Sequence, residues 1–126
     1  MKALHSLKAP KALGPYSQAI VAGGFVFASG QVPIDPATGE FVEGGIKEQT
    51  RQSLTNVGNV LAEAGIDLSH VVKTTVFLSD MDNFGAMNEV YSTFFKEPFP
   101  ARSAVAVKTL PKGALVEIEV VAALEK

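Results

Sequence analysis

Apolar and polar positions along the chain switch between the period of a helix and the period of a strand. From Ile46 onward, Ile46, Leu54, Val57, Leu61 and Ala64 fall at spacings compatible with 3.6 residues per turn, with Lys47, Glu48, Arg51 and Gln52 between them. This predicts a long amphipathic helix ended by Gly65, which can take the left-handed conformation that closes a helix C-terminus. Gly58 lies inside it at a propensity cost of about 1 kcal/mol relative to Ala, which suggests close packing against the sheet. Phe84, Met87, Tyr91 and Phe94 or Phe95 mark a second helical stripe, capped by Asp80 or Asp82 and stopped by Pro98 and Pro100.

The remaining runs read as strands. Val71 to Leu78 is rich in β-branched residues and too short for a core-covering helix. The runs from Tyr16 to Ala22 and from Phe25 to Ser29 meet across Gly23-Gly24, a hairpin junction. Asp35-Pro36-Ala37-Thr38-Gly39 supplies a turn within a loop or short edge piece. Two further strands, Ala101 to Lys108 and Leu115 to Leu124, are joined through Pro111-Lys112-Gly113. This order predicts an α+β fold, a mixed β-sheet with two helices packed on one face.

Strand parity carries the prediction further. In the last strand Val116, Ile118, Val120, Ala122 and Leu124 share one face, and Glu117, Glu119, Val121 and Ala123 the other. The first set should meet the helices. If Val105 and Val107 do so on the preceding strand, then Arg102, Ala104 and Ala106 join the glutamates on the uncovered face. That face is apolar for a surface in water, so burial against other subunits and homo-oligomerisation are expected.

Composition narrows the function classes. The 126 residues suit a single domain spanning 1–126, and 47% hydrophobic against 19% charged residues is enough for a real core. Thirteen acidic and eleven basic residues give a net charge of -2, with no Lys/Arg run, so general affinity for nucleic acid is not expected. The absence of cysteine excludes disulfides, thiolate metal sites and a cysteine nucleophile. Met1 to Lys8 lacks the apolar core of a signal peptide, and no apolar stretch approaches the roughly 18 residues of a membrane span. A cytoplasmic location is the default expectation.

Arg102 enters a strand in Phe99-Pro100-Ala101-Arg102-Ser103, among small residues that leave room for a ligand. A guanidinium grips a carboxylate through two parallel hydrogen bonds, a geometry lysine does not copy. Spacing alone leaves equally open an ion pair with Glu117 or Glu119. Those glutamates, two residues apart, resemble an acid/base pair, but alternating glutamates are commoner as solvated positions. Tyr16 and Ser29 read as ordinary polar residues near strand ends. His5 and His70 are isolated and are assigned no metal or catalytic role. Gly44-Gly45 is not followed by the pattern of a phosphate loop.

Taken together, ordered segments over nearly the whole chain resemble the RidA/YjgF family. They are Gly14-Pro15-Tyr16-Ser17-Gln18-Ala19, Ser29-Gly30-Gln31-Val32-Pro33, Asp35-Pro36 with Thr38-Gly39, and Gln52-Ser53-Leu54 with Asn56-Val57. Val72-Lys73-Thr74-Thr75-Val76-Phe77-Leu78, Pro100-Ala101-Arg102-Ser103, and Leu110-Pro111-Lys112 with Glu117-Ile118-Glu119 complete the match. The resemblance implies a chorismate-mutase-like fold assembled as a homotrimer, with active sites in the clefts between subunits. It also implies hydrolysis of 2-iminobutanoate and 2-iminopropanoate, unstable products of pyridoxal-phosphate dehydratases, to 2-oxo acids and ammonia without a cofactor.

By the same resemblance, Arg102 binds the substrate carboxylate and Glu117 orients or activates the attacking water. Tyr16, Ser29, Gly30 and Asn88 line the pocket. The rival readings are a non-enzymatic trimer that binds small carboxylates as a regulator or acts like a chaperone, and an RNA-directed activity, against which the charge balance counts. The chain departs from many relatives at Ala104, where they carry a cysteine, so a thiol-dependent mechanism is excluded. The short connection Lys96-Glu97-Pro98-Phe99-Pro100 bears on pocket width and substrate preference.

Overall fold

The computed structural model describes residues 1–126. In chain order the elements are β1 (Lys2–Leu4), β2 (Ala19–Ala22), β3 (Phe25–Gln31), β4 (Ile34–Asp35), β5 (Glu40–Phe41), α1 (Ile46–Ala62), β6 (Val71–Leu78), α2 (Phe84–Tyr91), β7 (Ala101–Ala106) and β8 (Val116–Ala123). Six strands form one sheet in the order β1-β2-β3-β8-β6-β7, and β4 pairs with β5 in a separate hairpin. All neighbours in the large sheet are antiparallel except β6 and β7, whose connection runs through α2. The result is an α+β fold with a mixed sheet.

Local chemistry accounts for most of these boundaries. Gly23 and Gly24 take φ of 59° and 82°, the consecutive positive values that a tight hairpin matching strand twist requires. At the start of α1 the Gly45 amide donates to Glu48 Oε1 at 2.8 Å, satisfying a donor the helix leaves orphaned. The Glu48 carboxyl is held below its ordinary pKa, first by that backbone hydrogen bond. Gly65, at φ 74°, ends the turn after α1. Gly58 does not serve close packing against the sheet, because a Cβ there would meet only Leu68 Cγ, at an ordinary 3.9 Å.

Three other boundaries differ from expectation. β2 begins at Ala19, not Tyr16, because the preceding residues are drawn into a side-chain clamp. The Gln18 Oε1 accepts from the Ser6 amide at 2.6 Å, while its Nε2 donates to the carbonyls of Ser6 and Pro10. This clamp lies beside β1, a three-residue edge strand too short to show a period. Asp80 caps a 3-10 turn over Met81–Asn83 that leads into α2, accepting from the Asp82 amide at 2.8 Å. α2 itself ends at Tyr91, well before Pro98, and passes into turns at Thr93 and Phe94.

Both helices cover one face of the sheet. Leu54, Val57, Val60 and Leu61 of α1 and Met87 and Tyr91 of α2 pack on Val26, Ala28, Val76, Leu78, Val116, Ile118, Val120 and Ala122 in a continuous cluster. Each fully buried Leu or Val contributes about 1.5–3 kcal/mol relative to exposure. The alternation expected for β8 is present, with Val116, Ile118, Val120 and Ala122 beneath the helices.

The faces of β7 are the reverse of the expectation. Register pairs Thr74 with Arg102, Val76 with Ala104 and Leu78 with Ala106, and Thr74, Val76 and Leu78 are buried on the helix side. Arg102, Ala104 and Ala106 therefore face α2, whereas Glu117 and Glu119 pair with Phe77 and Thr75 on the uncovered face. Both faces of β7 carry small or apolar residues, so its alternation does not set parity on this edge strand, and register with β6 decides it. The uncovered face carries Phe25, Phe27, Phe77, Val105 and Val121, and Phe27 and Val105 are 48% and 46% exposed.

Candidate functional site

Arg102 is held by residues from one face of α2. Phe84, Asn88 and Tyr91 stand at i, i+4 and i+7, so their side chains project to the same side of the helix. The Arg102 Nη1 donates to Asn88 Oδ1 at 2.6 Å. Its guanidinium carbon lies 4.8 Å from the centre of the Tyr91 ring and 5.3 Å from that of Phe84, within cation–π range of both. The chain's ion pair within 4 Å is Lys47 with Glu89, so Arg102 forms none with Glu117 or Glu119. Ala104, the next residue on the same face of β7, is small, and Arg102 itself is exposed, so its outer edge is open. The guanidinium is thus fixed on its inner side and carries unspent donors on the other.

Glu117 belongs to a second cluster on the uncovered face. A Cβ at Gly30 would overlap Glu117 Oε2, so the absence of a side chain in the irregular end of β3 is what admits this carboxylate. Burial raises the Glu117 pKa above the ordinary glutamate value, and the nearby Glu119 charge adds to the shift. Beside Gly30, the Ser29 hydroxyl donates to the Ser17 carbonyl at 2.6 Å, and the Ser29 amide donates to the Gln18 carbonyl. Tyr16, next to Ser17 in sequence, is 54% exposed.

The structure thus brings Asn88 to Arg102, and Ser29 and Gly30 into the Glu117 region beside the Tyr16 segment. It does not bring the two clusters together within the chain. Arg102 and Glu117 stand on opposite faces of the sheet, on strands separated by β6. Phe84, Tyr91 and Thr74 also gather around Arg102; the i, i+4, i+7 spacing of Phe84, Asn88 and Tyr91 is the signal for the first two, whereas Thr74 arrives through the register of β6 with β7, which has no local signal. A cavity of about 1020 Å³, lined in part by Asp67–Val72 and Phe94–Pro100, includes none of the expected site residues. No helix is long and apolar enough to cross a membrane.

Known proteins share this whole architecture. The family model described as Endoribonuclease L-PSP matches residues 6–124. A RutC family protein of Pyrococcus abyssi is 56% identical over 115 residues, covering 91% of each chain. The 2-iminobutanoate/2-iminopropanoate deaminase of Mus musculus is 49% identical over 121 residues, covering 96% of this chain and 90% of that protein. A solved structure of a Rid family protein, YyfA from Yersinia pestis, superposes with a TM-score of 0.94 at 50% identity, covering 97% of this chain and 98% of that one. With the family model spanning nearly its full length and relatives of this identity on either side, the chain belongs to the RidA/YjgF family.

Proposed function

We propose that the protein is a cofactor-independent deaminase hydrolysing 2-iminobutanoate and 2-iminopropanoate to the 2-oxo acids and ammonia. The observation that carries this reading is the state of Arg102: held by Asn88, Phe84 and Tyr91, unpaired with any carboxylate, and presenting free donors outward. This is the geometry that receives a substrate carboxylate in two parallel hydrogen bonds. A deaminase of the same name at 49% identity supports the substrate class.

The second half of the site is Glu117, with Ser29, Gly30 and Tyr16 on its side of the cleft. Because these residues lie across the sheet from Arg102, one ligand reaches both halves only where the uncovered face of one copy meets the Arg102 edge of another. A head-to-tail arrangement of this kind closes as a ring, and a homotrimer of chorismate-mutase-like subunits satisfies it. The exposed Phe25, Phe27 and Val105 supply the apolar surface such an interface buries. The continuous core supports reading residues 1–126 as one domain.

In this arrangement Arg102 orients the imino acid, and Glu117 accepts a proton as water adds to the electrophilic C2 of the protonated imine. Return of that proton to nitrogen makes it a leaving group, and as the C–N bond breaks Glu117 takes up the carbinol O–H proton, so that ammonia departs, the 2-oxo acid remains and the proton passes on to solvent or ammonia. Positioning a general base of raised pKa contributes about 10²–10⁴-fold, and orientation adds to it. Asn88 acts by fixing the guanidinium.

The test generates 2-iminobutanoate in solution with a threonine dehydratase and follows 2-oxobutanoate release. The wild-type protein is expected to accelerate release. Arg102→Ala should lower kcat/KM about 100-fold or more, since hydrogen bonds to charged groups are each worth roughly 1.5–3 kcal/mol. Arg102→Lys keeps the charge without the fork and should fall in between. No acceleration by the wild type, together with tight binding of 2-oxobutanoate, would establish the carboxylate-binding protein instead.

A further inference from the structure

The groups beneath Arg102 include a hydroxyl pair that core packing does not require. On the helix face of β6, Thr74 precedes Val76 and Leu78, and all three are fully buried. Thr74 Oγ1 lies 2.8 Å from the Tyr91 hydroxyl, a buried hydrogen bond between sheet and helix. Phe95 packs against Tyr91, with ring centres 4.7 Å apart. Phenylalanine and valine would fill the same volume without desolvating two hydroxyls, which are costly to bury and tolerated only when paired. The pair sits directly under the guanidinium, since Thr74 is the register partner of Arg102 and the Tyr91 ring is its platform.

We propose that Tyr91, locked by Thr74, is a positioning residue that sets the plane of the Arg102 guanidinium for the substrate carboxylate. The inference rests on the reading of Arg102 as the carboxylate clamp and adds how that clamp is kept flat. An exposed arginine samples many rotamers, and ordering it on binding weakens affinity. Here the ring supplies a flat cation–π surface, the Thr74 hydrogen bond stops that ring from shifting, and Asn88 holds Nη1. The plane is therefore set before the ligand arrives, with the remaining donors directed away from the protein. Phe84 alone does not supply this, being more distant from the guanidinium and without a polar anchor of its own.

The experiment measures thermal stability, the Kd of 2-oxobutanoate by calorimetry, and kcat and KM in the imine assay. The variants are Tyr91→Phe, Tyr91→Leu, Thr74→Val, Thr74→Ser, the double Tyr91→Phe/Thr74→Val, and Arg102→Ala. Either loss of the hydrogen bond, in Tyr91→Phe or Thr74→Val, should weaken 2-oxobutanoate about 2- to 10-fold and raise KM by a similar factor. Thr74→Ser retains the hydroxyl and should restore affinity. Tyr91→Leu removes the platform as well and should weaken the ligand about 2- to 30-fold. In the double variant no hydroxyl is left unpaired, so stability should recover while affinity stays weakened, a separation that a purely structural role would not produce. Affinity that recovers with stability, or single variants that lower stability with affinity unchanged, would overturn the positioning role while leaving the clamp intact. Arg102→Ala binding 2-oxobutanoate as tightly as wild type would instead remove the clamp, and this inference with it.

Discussion

Arg102 and Glu117 lie on opposite faces of one sheet, with β6 between the strands that carry them. One is a cation without an anionic partner, on the side covered by α2. The other is a partly buried carboxylate of raised pKa on the face that neither helix covers. A site using both is incomplete in a single copy, and this ties the proposed chemistry to assembly.

The Glu117 carboxyl couples activity and stability to pH in opposite directions. As a base it must be ionised, so kcat/KM should fall as pH drops through its raised pKa, and Glu117→Gln should abolish that limb together with most activity. Burial with Glu119 nearby raises the folded-state value, so the folded chain binds more protons than the unfolded chain between the two pKa values. Stability from this group is therefore present below the unfolded value of about 4.3 and lost as pH rises through the folded one. Glu117→Gln should raise the Tm at neutral pH, with the gain vanishing in acid, and thermal melts across pH check it. A Tm gain independent of pH would contradict the assignment.

Gly30 is required by space and not by backbone conformation, since a Cβ there meets the Glu117 carboxylate itself. Gly30→Ala should displace that side chain, costing about 1–3 kcal/mol as an overpacking change. The loss of kcat/KM should exceed what partial unfolding explains. Melting curves and imine assays on the same preparation separate the two effects.

The uncovered face should be where copies meet. Phe27→Asp places a charge at its centre, opposite Val121, and should yield a folded single chain with little deaminase activity. Sedimentation and circular dichroism measure this. A variant that remains assembled, or a wild-type protein that is monomeric, would place the interface elsewhere or remove it.

The legible parts of the fold are those where side-chain character changes sharply along the chain. α1, the hairpin at Gly23-Gly24 and the extent of β6 follow from periodicity and glycine chemistry. The alternation of β8 was readable because glutamates separate its valines and isoleucine. β7 offered only Ala, Ser and Val around Arg102, so its register with β6, a long-range property, set the faces against expectation. The Gln18 clamp and β1 were hidden for a related reason: a buried glutamine bonded to two distant carbonyls has no local pattern. Arg102 and Glu117 were identifiable as candidates, but their separation by the sheet was not.

The most direct test of a site shared between copies mixes two defective proteins. Arg102→Ala and Glu117→Gln, each retaining little activity alone, are unfolded together at equal concentration, refolded and assayed for 2-iminobutanoate hydrolysis. If each site takes its arginine from one copy and its glutamate from the next, random assembly makes about one quarter of the sites intact, and about one quarter of wild-type activity should return. No recovery in a preparation shown to contain mixed assemblies would contradict the shared site.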